Sequence, residues 1–402
     1  MSPVGISPEL DHWRNCVEGR KFVWLHCPPW DGVWTRQNHF ARRLAALGAE
    51  VLYVESPRGW GSQLRREGLR ALRSSSLPDV REVEPGLHVM ASRPTAPGSM
   101  LSDAVARWNA RQAARGVQRW LQSRDWSEWV AWCRVPKSVF YLDALDPAAV
   151  VYDVTDDYEL YARSERERRL VEQRERALAK RADVVFVTAE GLLEKPTLRE
   201  QRPVLIPNGV DTALFEAAAD PTGPVAPAIA AVSSPVIGYV GLTSHWMDFD
   251  LLRQLGDQWP DHIVMVGPIQ PEVEAEARSI PGVRWVGFVP HTELASVLRG
   301  FDVCILPHVV NELRRKANPL KIWEYLATGK PFVSVDLPAL APIRSHVRVA
   351  SSPEDFVSLV SDALSEAEDQ DSAVARQKAA RTYSWDRLTK DAIECMSNNH
   401  LI

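Results

Sequence analysis

The chain has 402 residues, 45% of them hydrophobic and 25% charged, with a net charge of −5. That is ordinary globular usage, and at roughly 150 residues per domain it implies two or three domains. Each is large enough for its own core, which excludes intrinsic disorder and a disulfide-stapled mini-fold. No run of 18 apolar residues occurs, so no transmembrane helix is expected, and residues 1–20 lack the basic-then-apolar pattern of a signal peptide, which argues for the cytosol. The five cysteines (Cys16, Cys27, Cys133, Cys304, Cys395) are scattered without metal-ligand spacing and read as reduced structural thiols.

Charge is unevenly spread. Residues 1–205 carry 31 basic against 27 acidic side chains, and residues 206–402 carry 16 against 25. A basic half joined to an acidic half suggests two modules with different partners, neither basic enough to make duplex nucleic acid the default.

In chain order, Phe22–Cys27 is a short apolar run closed by Pro28-Pro29 and reads as a strand. A loop bearing Trp30 and Trp34 follows, then helical spacing over 35–47 with Phe40, Leu44 and Leu47 on one face, stopped by Gly48. Val51–Val54 is a second strand, so the start of the chain has the strand–helix–strand signature of a parallel sheet. Residues 150–154 and 184–188 are further strands, separated by a long charged helix expected from Glu159 to Arg181. Residues 217–235, rich in Ala and Pro, read as part of a linker over 212–235. Beyond it come strands at Val236–Val240, Ile263–Val266, Val283–Val286, Val303–Leu306 and Pro331–Val335. The expected architecture is α/β, two Rossmann-like domains (1–211 and 236–382) facing one another across a cleft. An amphipathic terminal segment, 383–402, packs back on either half. Ligands of such sheets bind beyond the carboxyl ends of the strands.

The most informative stretch runs from Asn318 to Pro331 (Asn-Pro-Leu-Lys-Ile-Trp-Glu-Tyr-Leu-Ala-Thr-Gly-Lys-Pro). Asn318 suits an N-cap and Pro319 the first helical position. The free N–H groups of that helix start would favour a diphosphate, and the cation Lys321, placed against the helix dipole, would gain a reason from it. Glu324, one turn on, could accept hydrogen bonds from ribose hydroxyls. A plain capped surface helix is the other reading. Asp153, Asp156 and Asp157 follow the strand at 150–154 and could supply a general base or simply cap the next helix. His308 could touch a phosphate or sugar, and His39, Trp30 and Trp34 an acceptor. Each of these is also compatible with ordinary packing. No GxGxxG follows either first strand, which argues against a dinucleotide-dependent oxidoreductase.

The 318–331 block resembles the nucleotide-sugar-binding helix of GT-B-fold glycosyltransferases. Pro207-Asn208-Gly209-Val210-Asp211 with Phe215, Gly238-Tyr239-Val240-Gly241 before Trp246-Met247-Asp248, Trp34-x-Arg36 and Val151-Tyr152-Asp153-Val154 before Asp156-Asp157 are similar to a bacterial polysaccharide subgroup. The resemblance implies a glycosyltransferase that takes a nucleotide-diphosphate sugar, UDP-linked by preference, and passes it to a saccharide or lipid-linked hydroxyl. It implies no metal and no other cofactor. Gly241, Thr243, Val289, His308, Asn318, Pro319, Leu320, Lys321 and Glu324 would face the donor, and Trp30, Trp34, Arg36 and His39 the acceptor. Asp157, or its neighbour Asp156, matches the base of a related exopolysaccharide glucuronosyltransferase. Many retaining members carry a glutamate where Lys316 stands, and an inverting reaction follows as the expectation. A sugar-nucleotide epimerase of the same fold and a silent glycan-binding homologue are the rival readings.

Arg107, Arg111, Arg115 and Arg119 recur every four residues in a helical segment, and Arg58 to Arg73 adds five arginines against Glu67. Such ridges fit an anionic membrane surface, giving a cytoplasmic enzyme peripheral on the inner face, or a solvated charged face.

Overall fold

In the computed structural model the described residues are 5–57, 79–92, 95–365 and 370–402. They form two compact units, Met1–Pro207 with Asp386–Ile402, and Asn208–Trp385. The basic cluster Arg58 to Arg73 lies outside the described residues.

The first unit is built on eight strands: β1 (Lys21–Cys27), β2 (Glu50–Glu55), β3 (Val80–Glu84), β4 (Leu87–Met90), β5 (Val130–Cys133), β6 (Ala149–Val154), β7 (Val184–Val187) and β8 (Val204–Leu205). Their order is β3-β4-β2-β1-β5-β6-β7-β8, and only the β3/β4 pair is antiparallel. The order reverses direction between β1 and β5, so the carboxyl ends of these two strands flank a topological switch point. The central strands are apolar on both faces, as a sheet covered by helices on both sides requires. Trp24 of β1 stacks on Trp132 of β5 at 4.8 Å, with Phe40 and Phe186 against the same ring.

The second unit has six strands: β9 (Ile237–Val240), β10 (Ile263–Val266), β11 (Val283–Gly287), β12 (Val303–Leu306), β13 (Phe332–Val335) and β14 (Arg348–Ala350). They are all parallel, in the order β11-β10-β9-β12-β13-β14, so the switch point falls between β9 and β12. The backbones of the loops after β9 and β10 pass so closely that a Cβ at Gly267 would sit 2.0 Å from the Gly241 carbonyl oxygen.

Three local expectations are corrected. The charged helix starts at Glu165 and not at Glu159, because Tyr158–Tyr161 forms a 3-10 turn and Ser164 caps the helix by accepting from the Glu167 N–H. The stretch 217–235 holds a 3-10 turn, Ala217–Ala219, and a short helix, Pro227–Ala230. The helix expected from Asn318 runs Leu320–Thr328 with Pro319 in extended backbone at its cap, since the Asn318 carboxamide is engaged elsewhere. The terminal helix Trp385–Asn398 joins the first unit through Asp386, which accepts from Arg43 and the Ser7 N–H at 2.7 Å each, and through Lys390 on Glu9.

Candidate active site

In the second unit the helix Leu320–Thr328 is fixed to the end of β9 by Tyr325, whose hydroxyl accepts from the Val240 N–H at 2.8 Å. Its approach is set by Asn318: the side-chain oxygen accepts from Trp323 Nε1 (2.8 Å), and the carbonyl accepts from Asn208 Nδ2 (2.5 Å). Trp323 stacks on Tyr383 at 3.8 Å. Gly329, at φ 74°, ends the helix in a conformation that favours glycine. The Asn-Pro pair is therefore a braced elbow that sets the helix start, and Asn318 is not its cap.

Glu324 is buried, and Lys321 Nζ donates to its Oε2 at 2.6 Å. The unfavourable cation in the first turn is thus compensated by the carboxylate three residues on, without an external anion. Lys316, at the position where many retaining enzymes of the resembled family carry a glutamate, donates to Glu312 at 3.0 Å.

The loops after β9 and β12 meet beside this helix through a bridge between Met247 and His308. His308 is buried, and its Nδ1 lies 3.2 Å from Arg314 Nη2, which sets Nδ1 as acceptor and leaves the proton on Nε2. Burial, reinforced by Arg314, holds this imidazole well below its usual range, so it is neutral. Its Nε2 has no partner among the described residues. Arg314 also covers the Trp246 ring at 5.6 Å. Thr243 is buried, with its N–H on the Pro268 carbonyl. Gly241, Thr243, His308 and Glu324 therefore gather at the β9 and β12 carboxyl ends, while Val289 is half-buried in the loop after β11.

In the first unit, Arg36 is buried and holds Asp153 at 3.0 Å, the Ile206 carbonyl at 2.9 Å and the Pro207 carbonyl at 3.2 Å. Trp132 Nε1 also donates to Asp153. Arg36 is thus a clamp inside the unit, spanning the end of β6 and the Ile206-Pro207 backbone. Trp30 and Trp34 are likewise buried, 5.6 Å apart, with Trp30 edge-on to Tyr53 and Trp34 against His39 and the Arg42 guanidinium. Their faces are taken by neighbouring side chains, which corrects the expectation that they stack on sugar or lipid. His39 is buried against Trp34.

Asp157 is buried and ion-paired at 2.8 Å with Lys195, which also reaches Glu175 at 2.5 Å and Glu159 at 3.2 Å. Tyr152 and Thr197 donate to Glu175. Burial alone would lower the Lys195 ammonium, but Glu175 and Asp157 outweigh it and push it up to about 12. No spacing in the sequence announces this node. Asp156 is half-buried, within reach of the Thr155 and Tyr161 hydroxyls at 3.3 and 3.4 Å.

The family described as Glycosyl transferases group 1 matches residues 234–366, which include Gly241, His308 and Glu324. The chain is 25% identical over 243 residues to the putative teichuronic acid biosynthesis glycosyltransferase TuaH of Bacillus subtilis, a stretch covering 58% of this chain. It spans 61% of that relative's length. The fold is similar to the catalytic domain of starch synthase IV from Arabidopsis thaliana bound to ADP and acarbose (TM-score 0.64, 11% identity, 95% of this chain and 99% of that one). It is also similar to HepE of Anabaena in complex with UDP and glucose (TM-score 0.61, 13% identity, 94% and 100%). Residues 234–366 thus match the glycosyl transferases group 1 family, in a chain with the fold of the GT-B glycosyltransferases.

Proposed function

We propose that the chain is a glycosyltransferase that moves a sugar from a nucleotide-diphosphate sugar to a hydroxyl of a saccharide or lipid-linked acceptor in polysaccharide synthesis. The observation that carries this reading is the constellation at the β9 and β12 ends. There Glu324, paired with Lys321 on a helix that Tyr325 fixes to β9, stands with a neutral His308 whose Nε2–H lacks an acceptor among the described residues. Glu324 accepts the ribose hydroxyls, and His308 and the N–H groups of the helix start donate to the diphosphate. UDP is the preferred nucleotide, and the reaction is expected to use no metal or further cofactor.

The reaction inverts the anomeric carbon. Of the two aspartates after β6, Asp156 is the better base, because Asp157 is committed to Lys195 whereas Asp156 is half-buried on an acidic loop. NMR of the product distinguishes the outcomes: product with the donor's own anomeric configuration overturns inversion.

We place the enzyme at the cytoplasmic membrane face. The helix Asp103–Ser123 buries Ala106, Ala110, Ala114, Val117 and Leu121 and leaves Arg107, Trp108, Arg111, Arg115 and Arg119 exposed on the opposite side. Each basic group near an anionic leaflet contributes about 1 kcal/mol, and an exposed Trp suits the interface. Among the described residues no helix is long and apolar enough to cross a membrane. Co-sedimentation with anionic and neutral vesicles tests this: salt-sensitive binding to anionic vesicles alone supports it, and equal binding to both, or to neither, refutes it.

A further inference from the structure

We infer that the first unit carries a binding site for an oxyanion of the acceptor, a phosphoryl or carboxylate group, made by Arg134 and Lys137 at the carboxyl ends of β1 and β5. These two strands flank the switch point of the eight-stranded sheet, where open α/β sheets take their ligands. Assigning the anion to the acceptor rests on the transferase reading above.

Arg134 is the first residue after β5, and Lys137 stands in the 3-10 turn Pro136–Ser138 that follows. Ser138 Oγ lies 3.0 Å from Nδ1 of the buried His26, near the end of β1, which ties the two strand ends together. His26 has φ 61°, a left-handed backbone that a non-glycine residue adopts only when its surroundings impose it.

Neither cation has a carboxylate at ion-pair distance among the described residues. There Arg134 donates only to the Tyr158 hydroxyl (3.3 Å) and, at 3.5 Å, to the His26 carbonyl, and its Nε is buried with no acceptor. Lys137 is half-buried and makes no side-chain hydrogen bond among the described residues. Burial, then Arg134 and Arg174, push its ammonium down to about 8. Burial, then Lys137 and Arg134, also keep His26 neutral. Lys137, a half-buried cation beside Arg134 and Arg174 with no carboxylate, and the unsatisfied Arg134 Nε both disfavour the free protein; a bound oxyanion would relieve both. Asp156 is a carboxylate within electrostatic range of Arg134, so the anion would lie on the same side of the sheet as the proposed base.

The test is calorimetric titration of the full chain with inorganic pyrophosphate, glucuronate and neutral glucose, the second unit's nucleotide site being first saturated with UDP. Arg134→Gln and Lys137→Gln are each expected to weaken the bound anion about tenfold or more, leaving UDP affinity unchanged. Dependence with pyrophosphate alone assigns a phosphoryl group, and with glucuronate alone a carboxylate. Lys137→Gln is further expected to raise the melting temperature while it lowers anion affinity, a pairing that a merely structural lysine would not give. Anion binding unchanged in both folded variants, or binding equal to that of glucose, would overturn the site. Because this readout is binding and not transfer, failure of the transferase reading leaves it interpretable.

Discussion

Replacing Lys195 with methionine should cripple the first unit's stability. Lys195 is the shared partner of Asp157, Glu175 and Glu159, and the side chains of Lys195, Asp157 and Glu175 are 5%, 5% and 0% exposed. Removing one member of a buried ion pair costs about 3–5 kcal/mol because the other charge is left uncompensated. With two buried carboxylates losing their shared cation at once, the cost lies near the top of that range, about 5 kcal/mol. In a unit of roughly 220 residues each kcal/mol moves the midpoint by about 2–4 °C, so the first unit's transition should fall by about 10–20 °C. Scanning calorimetry of wild type, Lys195→Met and Lys195→Met/Glu175→Gln makes the comparison. The double variant should recover part of the loss, since it removes one buried charge that has lost its cation while Tyr152 and Thr197 still find an acceptor. A related signature appears in alkali. The folded ammonium, pushed up to about 12, binds its proton more tightly than the ordinary value of 10.5, so its stabilisation is complete below 10.5 and is lost as pH rises towards 12. That alkaline loss should be absent in Lys195→Met. A midpoint within about 2 °C of wild type would refute the reasoning.

Glu324→Ala should weaken nucleotide affinity by about tenfold or more, the cost of a charge-assisted hydrogen bond; unchanged affinity by titration in a folded protein would remove Glu324 from the site. His26 and His308 stay neutral in the fold but protonate below about 6.5 when unfolded, so stability should fall on acidification by about 2.7 kcal/mol per pH unit from this pair. Denaturant titrations of a His26→Gln/His308→Gln variant should show a flatter acid limb. Gly267→Ala, with its Cβ driven into the Gly241 carbonyl at φ 135°, should destabilise the second unit by about 3 kcal/mol or more and weaken nucleotide binding with it, read by melting and titration together.

Much of the fold is legible from residue types because parallel strands covered on both faces announce themselves as apolar runs, as β1, β9 and β12 do. What escapes is β3, β4 and β5, although β4 and β5 are buried, because single charged or aromatic residues interrupt their short runs, together with β8, Val204–Leu205, both exposed, and β14, with three residues. The helix Leu320–Thr328 is legible through its own local chemistry, Pro at the start and Gly at the stop, though its cap is misread because Trp323 claims the Asn318 carboxamide. The first unit's polar interior is not legible at all. Arg36 meets Asp153 across 117 residues, and nothing local in either segment says so. Trp30 and Trp34 are correctly placed in a loop after a strand, but the loop folds inward on Tyr53 and Arg42.

The central claim is glycosyl transfer with the donor held at the Glu324 helix. It is tested most directly by following nucleotide release and acceptor mass together, with a panel of nucleotide-diphosphate sugars and saccharide or lipid-linked acceptors. Nucleotide release should require acceptor, the acceptor mass should increase by one sugar, and both should be lost in Glu324→Ala. Nucleotide release with free isomerised sugar and no acceptor product, or donor binding without any turnover across the panel, would contradict it.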